Sequence, residues 1–513
     1  MLGGAMSATP TTTKQHPRLA VQAFWLTASK GIAAILNIGL PILLVRLMAQ
    51  TEYGIFKEAF LFVSTATNIA TFGVGMSAFY FMPRQPERGG QIALNILVYN
   101  FVAGWIPLAV ILAYPQILQK LFRTNQLEPL AVLLGFLVLV TLTSSLVQQI
   151  PTAMQDVKYS TLFIVGSQVA RAVMIAAAAL AFRSVKSIVI AAMVAQLLSI
   201  ILLFWYLDER FPRFWTQFEW DFFKEQLAYA LPYGAFGMLW VIQKDLDNYF
   251  VSATLGPKDY AIYAVGWVDV PLLTLALESI VSVMIVRIST LQKENRKKEI
   301  REVTASASSR VAAIEFPLFA MLMVGGKDLI VLFYTRTYQQ SGSIFLVSIL
   351  LLPLWALLMD PIVRAYKDLR NFLLGVRLAV FVLLFCVLLP VIHHWGMLGA
   401  AITAVGAQYL ERIIIFFKAA RTVDAEWSDV RLYRDLFKVA GVSVVAGVAA
   451  YLVRNLINPN LLIPRILVVG VVTAAIYLPA MYVLRLPGWE LLSRDKIVGM
   501  LRGQLSKLKG AAG

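Results

Sequence analysis

Charged side chains inside long apolar stretches are the residues of this sequence with the clearest chemistry. The basic ones are Lys30, Lys244, Arg310, Arg171, Arg377 and Arg412. A charge at the centre of a membrane helix costs about 2.5–3.5 kcal/mol even on a mild insertion scale, so such a group must face a wet cavity or a partner. Arginine can hold phosphate oxygens in a bidentate fork, and lysine acts as a mobile point charge. These residues therefore suit the binding of a diphosphate group in a central cavity.

Lys30 and Lys244 are the leading candidates among these cations, followed by Arg310. Lys30 shares a helical face with Asn37, which gives an otherwise apolar helix a polar stripe. Because Lys30 and Lys244 occupy corresponding places in the two halves of the chain, we predict a symmetric clamp with one cation from each half. The alternative is internal pairing, in which the side chain of Lys244 reaches Asp247 or Asn248, one helical turn later.

Two further groups of polar residues could serve a binding cavity. Amide and aromatic groups suited to sugars are Asn37, Asn68, Gln148, Tyr233, Trp240 and Asn248. Such residues also act as interhelical glue, and this alternative stays open. Asp269 and Glu278 lie in one apolar stretch, and a carboxyl group in a low-dielectric site can take up and release a proton. We expect these two to couple transport to H+ or Na+, or else to pair with a buried cation.

Motifs for catalysis and cofactors are absent from the sequence. No Gly-rich loop ends in Gly-Lys-Ser or Gly-Lys-Thr, so ATP hydrolysis by this chain is not supported. No His or Cys cluster has metal-ligand spacing, and the single cysteine, Cys386, excludes a disulfide within the chain. We therefore expect no enzyme activity, no catalytic residues, no metal and no cofactor.

The elements that must position these residues are membrane helices. The chain is 59% hydrophobic and 14% charged, which is too apolar for a soluble domain of 513 residues. About fourteen apolar runs reach the roughly 20 residues that a bilayer crossing needs. With the N-terminus in the cytoplasm, the inner segments carry more than twice as many Lys and Arg as the outer loops. This asymmetry predicts a multi-pass protein of the inner membrane with both termini cytoplasmic, which does not bind nucleic acid despite its net charge of +16.

An internal repeat divides the chain. Glu52-Tyr53-Gly54-Ile55-Phe56 and Asp259-Tyr260-Ala261-Ile262-Tyr263 each follow a Leu-rich helix end and precede a new span. Together with Phe72-Gly73-Val74-Gly75 and Asp247-Asn248-Tyr249-Phe250, they resemble the polysaccharide-biosynthesis (Wzx-like) oligosaccharide flippases. That family belongs to the multidrug/oligosaccharidyl-lipid/polysaccharide (MOP) exporter superfamily, which also holds the multidrug and toxin extruders and the lipid II flippases.

The resemblance implies an all-α membrane fold with two pseudo-symmetric six-helix lobes around a central cavity. We expect a cytoplasmic tail over 1–18, an N-lobe over 19–210, a C-lobe over 211–420, two extra helices over 421–486, and a basic amphipathic tail over 487–513. It also implies the cargo, an undecaprenyl-diphosphate-linked oligosaccharide moved to the outer leaflet by alternating access for surface polysaccharide synthesis, such as lipopolysaccharide or exopolysaccharide. Membrane lipids and a polysaccharide polymerase would be its partners.

Two other functions stay open. An ion-coupled small-molecule exporter of the same fold would carry cationic cargo in a cavity dominated by carboxylates and aromatics. Here the basic residues at membrane depth match the acidic ones in number, which favours an anionic cargo. A membrane polymerase or ligase would need a large outer loop with catalytic groups, and the outer loops here are short.

Overall fold

The computed structural model describes residues 16–267 and 271–489, which are helical and contain no strand. Their nineteen α-helices are α1 (His16–Leu47), α2 (Gln50–Thr71), α3 (Ser77–Phe81), α4 (Gly89–Ala113), α5 (Ile117–Phe122), α6 (Ala131–Ser144), α7 (Leu146–Ala153), α8 (Val157–Phe182), α9 (Val185–Arg210), α10 (Trp220–Leu255), α11 (Pro257–Gly266), α12 (Pro271–Lys293), α13 (Lys297–Tyr334), α14 (Ser341–Ser348), α15 (Leu351–Trp355), α16 (Asp360–Ala365), α17 (Lys367–Thr422), α18 (Arg434–Asn455) and α19 (Leu462–Val483). The predicted basic amphipathic tail covers 487–513, of which residues 490–513 lie outside the described residues.

The all-helical membrane fold is confirmed, but the count of fourteen spans is not. Among the described residues, nine helices are long and apolar enough to cross a membrane, or ten if the bent pair α2–α3 is one span. Part of the difference lies in α17, a helix of 56 residues that holds two predicted spans on either side of Gly396 (φ 58°). Another part lies in α14 and α15, which are short apolar helices separated by a break.

The chain forms two compact units. Unit 1 consists of α1, residues 63–115 and residues 130–238, and unit 2 consists of residues 48–62, residues 116–129 and the chain from Leu239 onward. Each unit has its own apolar core; Phe81, Ile92 and Tyr206 are buried in unit 1. The predicted lobe boundaries and their pseudo-symmetry stay predictions.

One proline break in unit 2 is compensated by a side chain. Pro317 lies inside α13 and has no backbone N–H to donate to the carbonyl of Ala313, four residues earlier. The hydroxyl of Tyr477 on α19 donates to that carbonyl at 2.7 Å. The freed carbonyl is therefore satisfied by a neighbouring helix, as a backbone group away from water requires. This bond ties α19 to α13 within the membrane span.

Candidate functional sites

A sharp bend between α2 and α3 builds the first candidate site, in unit 1. The two helical segments meet at 56°. Phe72 (φ 42°) and Gly73 (φ 70°) both adopt positive φ at the bend, and such a value is uncommon for a residue other than glycine. A Cβ at Gly234 of α10 would collide with the Phe72 carbonyl, so only glycine allows this close approach. The bend therefore depends on Gly234, which lies far along the chain. It directs α3 and the following turn toward α10.

A stack of three side chains follows the bend. The rings of Tyr80 and Tyr229 are stacked with centroids 4.3 Å apart. The guanidinium of Arg84 lies 3.9 Å from the Tyr80 ring centroid on a cation–π contact. Nη1 of Arg84 also donates to the Tyr80 carbonyl oxygen at 2.7 Å, which fixes the guanidinium over the ring. Tyr80 is thus held between a second aromatic ring and a cation.

This stack lines a shallow pocket at the end of unit 1 that the charge distribution predicts to be cytoplasmic. The lining residues are Gly73, Met76, Phe79, Tyr80, Arg84, Tyr229 and Ala230. Aromatic faces suit the apolar faces of sugar rings, and the remaining guanidinium N–H groups suit phosphate oxygens. Sequence reasoning missed this site: Tyr80 and Arg84 have the spacing of one helical turn, but nothing in the sequence links them to Tyr229.

The second candidate site is a buried polar network in unit 2. Nη2 of Arg377 and Oε1 of Glu411 form an ion pair at 2.9 Å, with side chains 9% and 10% exposed. Nε2 of Gln243 donates to the other carboxylate oxygen of Glu411 at 3.1 Å. The guanidinium of Arg377 also lies 4.7 Å from the centroid of the Trp240 ring. The predicted residues Arg377 and Trp240 are therefore brought together, while sequence reasoning did not assign Gln243 or Glu411 to the site.

The other predicted cations have different surroundings. Lys30 is exposed on α1 of unit 1, and Lys244 and Arg310 are exposed on helices of unit 2. Arg171 is partly buried on α8. Arg412 forms a half-exposed ion pair with Asp360 at 2.9 Å. The clamp of Lys30, Lys244 and Arg310 stays a prediction.

The contacts that the predicted residues make with one another differ from the ion pairs considered from the sequence. Asp247 accepts hydrogen bonds from the Tyr263 hydroxyl and from the amide of Asn248, its neighbour in the chain. Glu411 pairs with Arg377 instead of its neighbour Arg412. Adjacency in the chain therefore accounts for one partner of Asp247, Asn248, but not for the partner of Glu411.

The predicted sugar-binding residues are spread over several helices. Asn37 and Asn68 are exposed, and Trp240 is 39% exposed beneath Arg377. Nε2 of Gln148 donates to the Ser167 hydroxyl at 3.0 Å, so this amide joins α7 to α8 within unit 1. The side chain of Tyr233 lies outside the described residues. Gln148 thus acts as interhelical glue in this structure, and a role in sugar binding stays a proposal for all of these residues.

Carboxyl groups buried in unit 2 stand apart from those chosen as coupling residues. Glu278 is exposed on α12, and Asp269 lies outside the described residues. By contrast, Glu58 and Glu315 are fully buried. Oε1 of Glu58 accepts from the Ser252 hydroxyl at 2.5 Å, whereas neither carboxyl oxygen of Glu315 has a hydrogen-bond partner among the described residues.

Glu315 lies on the face of α13 that packs against the broken pair α14–α15. Ser308, two turns earlier on that face, accepts from the Leu358 N–H at 3.2 Å, and Gly326, three turns later, packs against Phe345. Residues 341–359 contain no Asp, Glu, Lys, Arg, His or Tyr. An unpaired carboxylate in such a place is costly, which makes Glu315 a candidate for binding a proton or a cation. It is a better-placed coupling candidate than the sequence pattern indicated.

Solved transporter structures share the fold of this chain. The structure titled "Lipid II flippase MurJ, inward closed conformation" matches with a TM-score of 0.65 and 14% identity, covering 92% of this chain and 100% of that chain. A MOP superfamily transporter from Pyrococcus furiosus, whose title describes a binding pocket of reverse polarity, matches with a TM-score of 0.57 and 14% identity over 79% of this chain and 95% of that chain. The structure titled "Crystal structure of MATE in complex with MaD3S" matches with a TM-score of 0.56 and 15% identity, covering 80% of this chain and 95% of that chain. At these identities the likeness establishes the fold, which is that of MOP transporters.

Sequence comparison identifies the family. No curated protein sequence matches this chain. The profile of the family described as "Polysaccharide biosynthesis protein" matches residues 43–343, which is more than half of the chain and includes both copies of the internal repeat. The match also spans the bend at Phe72–Gly73 and the Tyr80–Arg84–Tyr229 stack. The chain is therefore a multi-pass membrane protein that belongs to the polysaccharide biosynthesis protein family.

Proposed function

We propose that this protein flips a lipid-linked oligosaccharide, an undecaprenyl-diphosphate-linked repeat unit, from the cytoplasmic to the outer leaflet of the inner membrane. Three observations support the proposal: the family match, the transporter fold and the chemistry of the pocket in unit 1. The lipid diphosphate cannot cross hydrocarbon without charge compensation. Movement would occur by alternating access, and a polymerase acting on the outer face would consume the flipped product.

The Tyr229–Tyr80–Arg84 stack carries this proposal. It combines an aromatic face with a fixed guanidinium at the predicted cytoplasmic end, where newly made cargo would be loaded. The guanidinium would hold a phosphate oxygen while the exposed face of Tyr229 packs against a sugar ring. Lys30, Lys244 and Arg310 would then accompany the diphosphate through the membrane.

Coupling to an ion gradient completes the proposed mechanism. Glu278 and Asp269 stay candidates from the sequence, and Glu315 joins them because it is buried without a hydrogen-bond partner among the described residues. Binding of a proton or Na+ at such a carboxyl removes a buried charge, which changes the stability of one conformation relative to another. Differential stability of this kind is what an ion must supply to drive transport.

An exporter of small cationic molecules is the second candidate function. The fold likeness to multidrug extruders and the buried carboxyl groups of Glu58 and Glu315 favour it. The two functions differ in what a loss of the gene would cause. A flippase mutant accumulates lipid-linked intermediates on the cytoplasmic face, whereas an exporter mutant becomes sensitive to its cargo.

The experiment is deletion of the gene followed by complementation with variants of the pocket. We expect the deletion strain to lose surface polysaccharide and to accumulate its lipid-linked precursor. Arg84→Gln and Tyr80→Ala should fail to restore the polymer while reaching the membrane in normal amounts. Lys224→Gln is the matched control, because Lys224 lies over the Trp220 ring, 5.6 Å from its centroid, at the same end of unit 1 but outside the pocket.

The outcome that would overturn the proposal is equally direct. If the deletion strain keeps normal polymer and shows no precursor on the cytoplasmic face, the protein is not the flippase of that pathway. If the deletion strain loses polymer but both pocket variants restore it, the function stands and the pocket is not where cargo is loaded.

A further inference from the structure

A cluster of arginines in unit 2 lies where three helix ends meet. Nε of Arg454, in the last turn of α18, forms an ion pair with Asp328 of α13 at 2.7 Å. Nη1 of Arg465, in the first turn of α19, reaches the other carboxylate oxygen of Asp328 at 3.4 Å. The side chains of Arg454, Arg465 and Asp328 are 13%, 10% and 8% exposed, respectively. One buried carboxylate therefore has two buried guanidinium partners.

The charges in this cluster do not balance. Two arginines and one aspartate leave a net charge of +1 in a mostly buried place, which is unfavourable without a counterion. Asp328 is the only acidic residue in 327–340, and residues 454–466 contain none. The nearby Arg336 adds a further cation, and its Nη2 donates to the side-chain oxygen of Asn460 at 3.1 Å. The chain itself thus offers more positive than negative charge at this helix junction.

Two features of the cluster favour an anion as its counterion. Nε of Arg465 is buried and has no hydrogen-bond partner among the described residues. Arg465 also lies at the N-terminus of α19, a helix of 22 residues, where unpaired backbone N–H groups and the helix dipole favour an anion. An anion at this helix end would neutralise the excess charge of the cluster.

The surroundings of the cluster favour a lipid over a soluble anion. Leu456 and Leu461 in the α18–α19 connection and Ile463 in the first turn of α19 flank it, and they are 85%, 52% and 58% exposed. Exposed aliphatic side chains beside arginines at the end of membrane helices are typical of the bilayer interface, where headgroup phosphates lie. We propose that Arg465, Arg454 and the N-terminus of α19 bind the phosphate of an anionic phospholipid. This site is separate from the cargo pocket and does not depend on the proposed function.

Thermal unfolding of the full-length protein in a neutral detergent tests the proposal. The probes are phosphatidylglycerol, phosphatidylcholine with the same acyl chains, and inorganic phosphate. We expect phosphatidylglycerol to raise the Tm of the wild-type protein and the other two to have little effect. In Arg465→Gln and Arg454→Gln, the apparent affinity for phosphatidylglycerol should fall by about tenfold or more, because a charge-assisted hydrogen bond is lost.

The variants are chosen so that they fold. Each leaves Asp328 with one arginine, which is a balanced pair, and size-exclusion chromatography verifies that the protein stays monodisperse. Arg88→Gln is the matched control: it removes an arginine that already has one carboxylate, Glu219 at 2.9 Å, and it should respond to phosphatidylglycerol like the wild type.

Three results would overturn the proposal. Equal stabilisation by phosphatidylcholine would show that the acyl chains act without the anionic group. An unchanged response in both Arg465→Gln and Arg454→Gln would place anionic lipid elsewhere. Stabilisation by inorganic phosphate that matches the lipid and is lost in the same variants would identify a soluble anion as the ligand instead.

Discussion

The charged residues at membrane depth in this protein differ in their burial and in the side chains with which they pair. Arg377 is buried against Glu411, Gln243 and Trp240, whereas Arg412 forms a half-exposed pair with Asp360. Arg377→Gln should therefore lower the free energy of unfolding by about 3–5 kcal/mol, because it leaves the Glu411 charge buried and unpaired. Arg412→Gln should cost about 0–1 kcal/mol, as exposed pairs do. Thermal or denaturant unfolding in detergent measures both.

A double variant separates the ion pair from its packing. Arg377→Met combined with Glu411→Met removes both charges and should recover much of the stability that Arg377→Gln loses, since apolar side chains often replace a buried pair without loss. If Arg377→Gln is no less stable than Arg412→Gln, the network contributes nothing to the fold. In that case the presence of buried charges at Arg377 and Glu411 would have to be explained by cargo or ion binding.

Glu315 gives the second prediction at this scale. Since neither of its oxygens has a hydrogen-bond partner among the described residues, Glu315→Gln preserves shape and packing and removes only the ability to bind a proton or cation. We expect the variant to be as stable as the wild type but to restore about tenfold less surface polysaccharide in the deletion strain. Glu278→Gln, at an exposed carboxyl, tests the residue that the sequence favoured. Normal polymer from Glu315→Gln would exclude this carboxyl from coupling.

At the scale of helices, the two copies of the repeat meet within unit 2. Gly54 of α2 lies against Pro257 at the start of α11, and a Cβ at Gly54 would collide with the Pro257 carbonyl oxygen. Glu58, one turn later, accepts from Ser252 of α10, and both residues are fully buried. Gly54→Val should therefore separate these helix ends and expose Ser252.

Cysteine labelling measures this separation. In a Cys386→Ser background, Ser252→Cys should resist a membrane-impermeant maleimide, because residue 252 is buried. Adding Gly54→Val should make it reactive. Gly237→Val on α10 is the control, since a Cβ at Gly237 meets no atom within 4 Å and should leave labelling unchanged. Equal protection of Ser252→Cys in all three backgrounds would show that the contact at Gly54 does not hold these helices together.

The sequence predicted the helices better than it predicted the contacts between the helices. Apolar runs gave the membrane helices because hydropathy is a local property, and the Phe72-Gly73-Val74-Gly75 motif coincides with the bend between α2 and α3. The Tyr80–Tyr229 stack and the Glu411 partners join residues more than thirty positions apart, so no local pattern reveals them. The count of fourteen spans is not confirmed for a related reason: the kink at Gly396 and the α14–α15 break alter helices without interrupting the apolar sequence.

Orientation in the membrane is the prediction that concerns the whole molecule. α13 has 38 residues and is about 57 Å long, which exceeds the roughly 30 Å of hydrocarbon, so its two ends must emerge on opposite sides. The basic segment around Lys297 should lie in the cytoplasm, and Arg336 should lie outside. In a Cys386→Ser background, Arg336→Cys should react with an impermeant maleimide in intact cells.

Lys297→Cys and Arg84→Cys should react only after the membrane is opened, because the same charge rule places both residues inside. Arg84→Cys is the decisive variant for the proposed function, since it reports directly on the pocket that would load cargo. Labelling of Arg84→Cys in intact cells, with Arg336→Cys protected, would show that the orientation of the protein in the membrane is the reverse of the predicted one. The stack of Tyr80 and Arg84 would then face the outer side, and cargo made in the cytoplasm could not enter there.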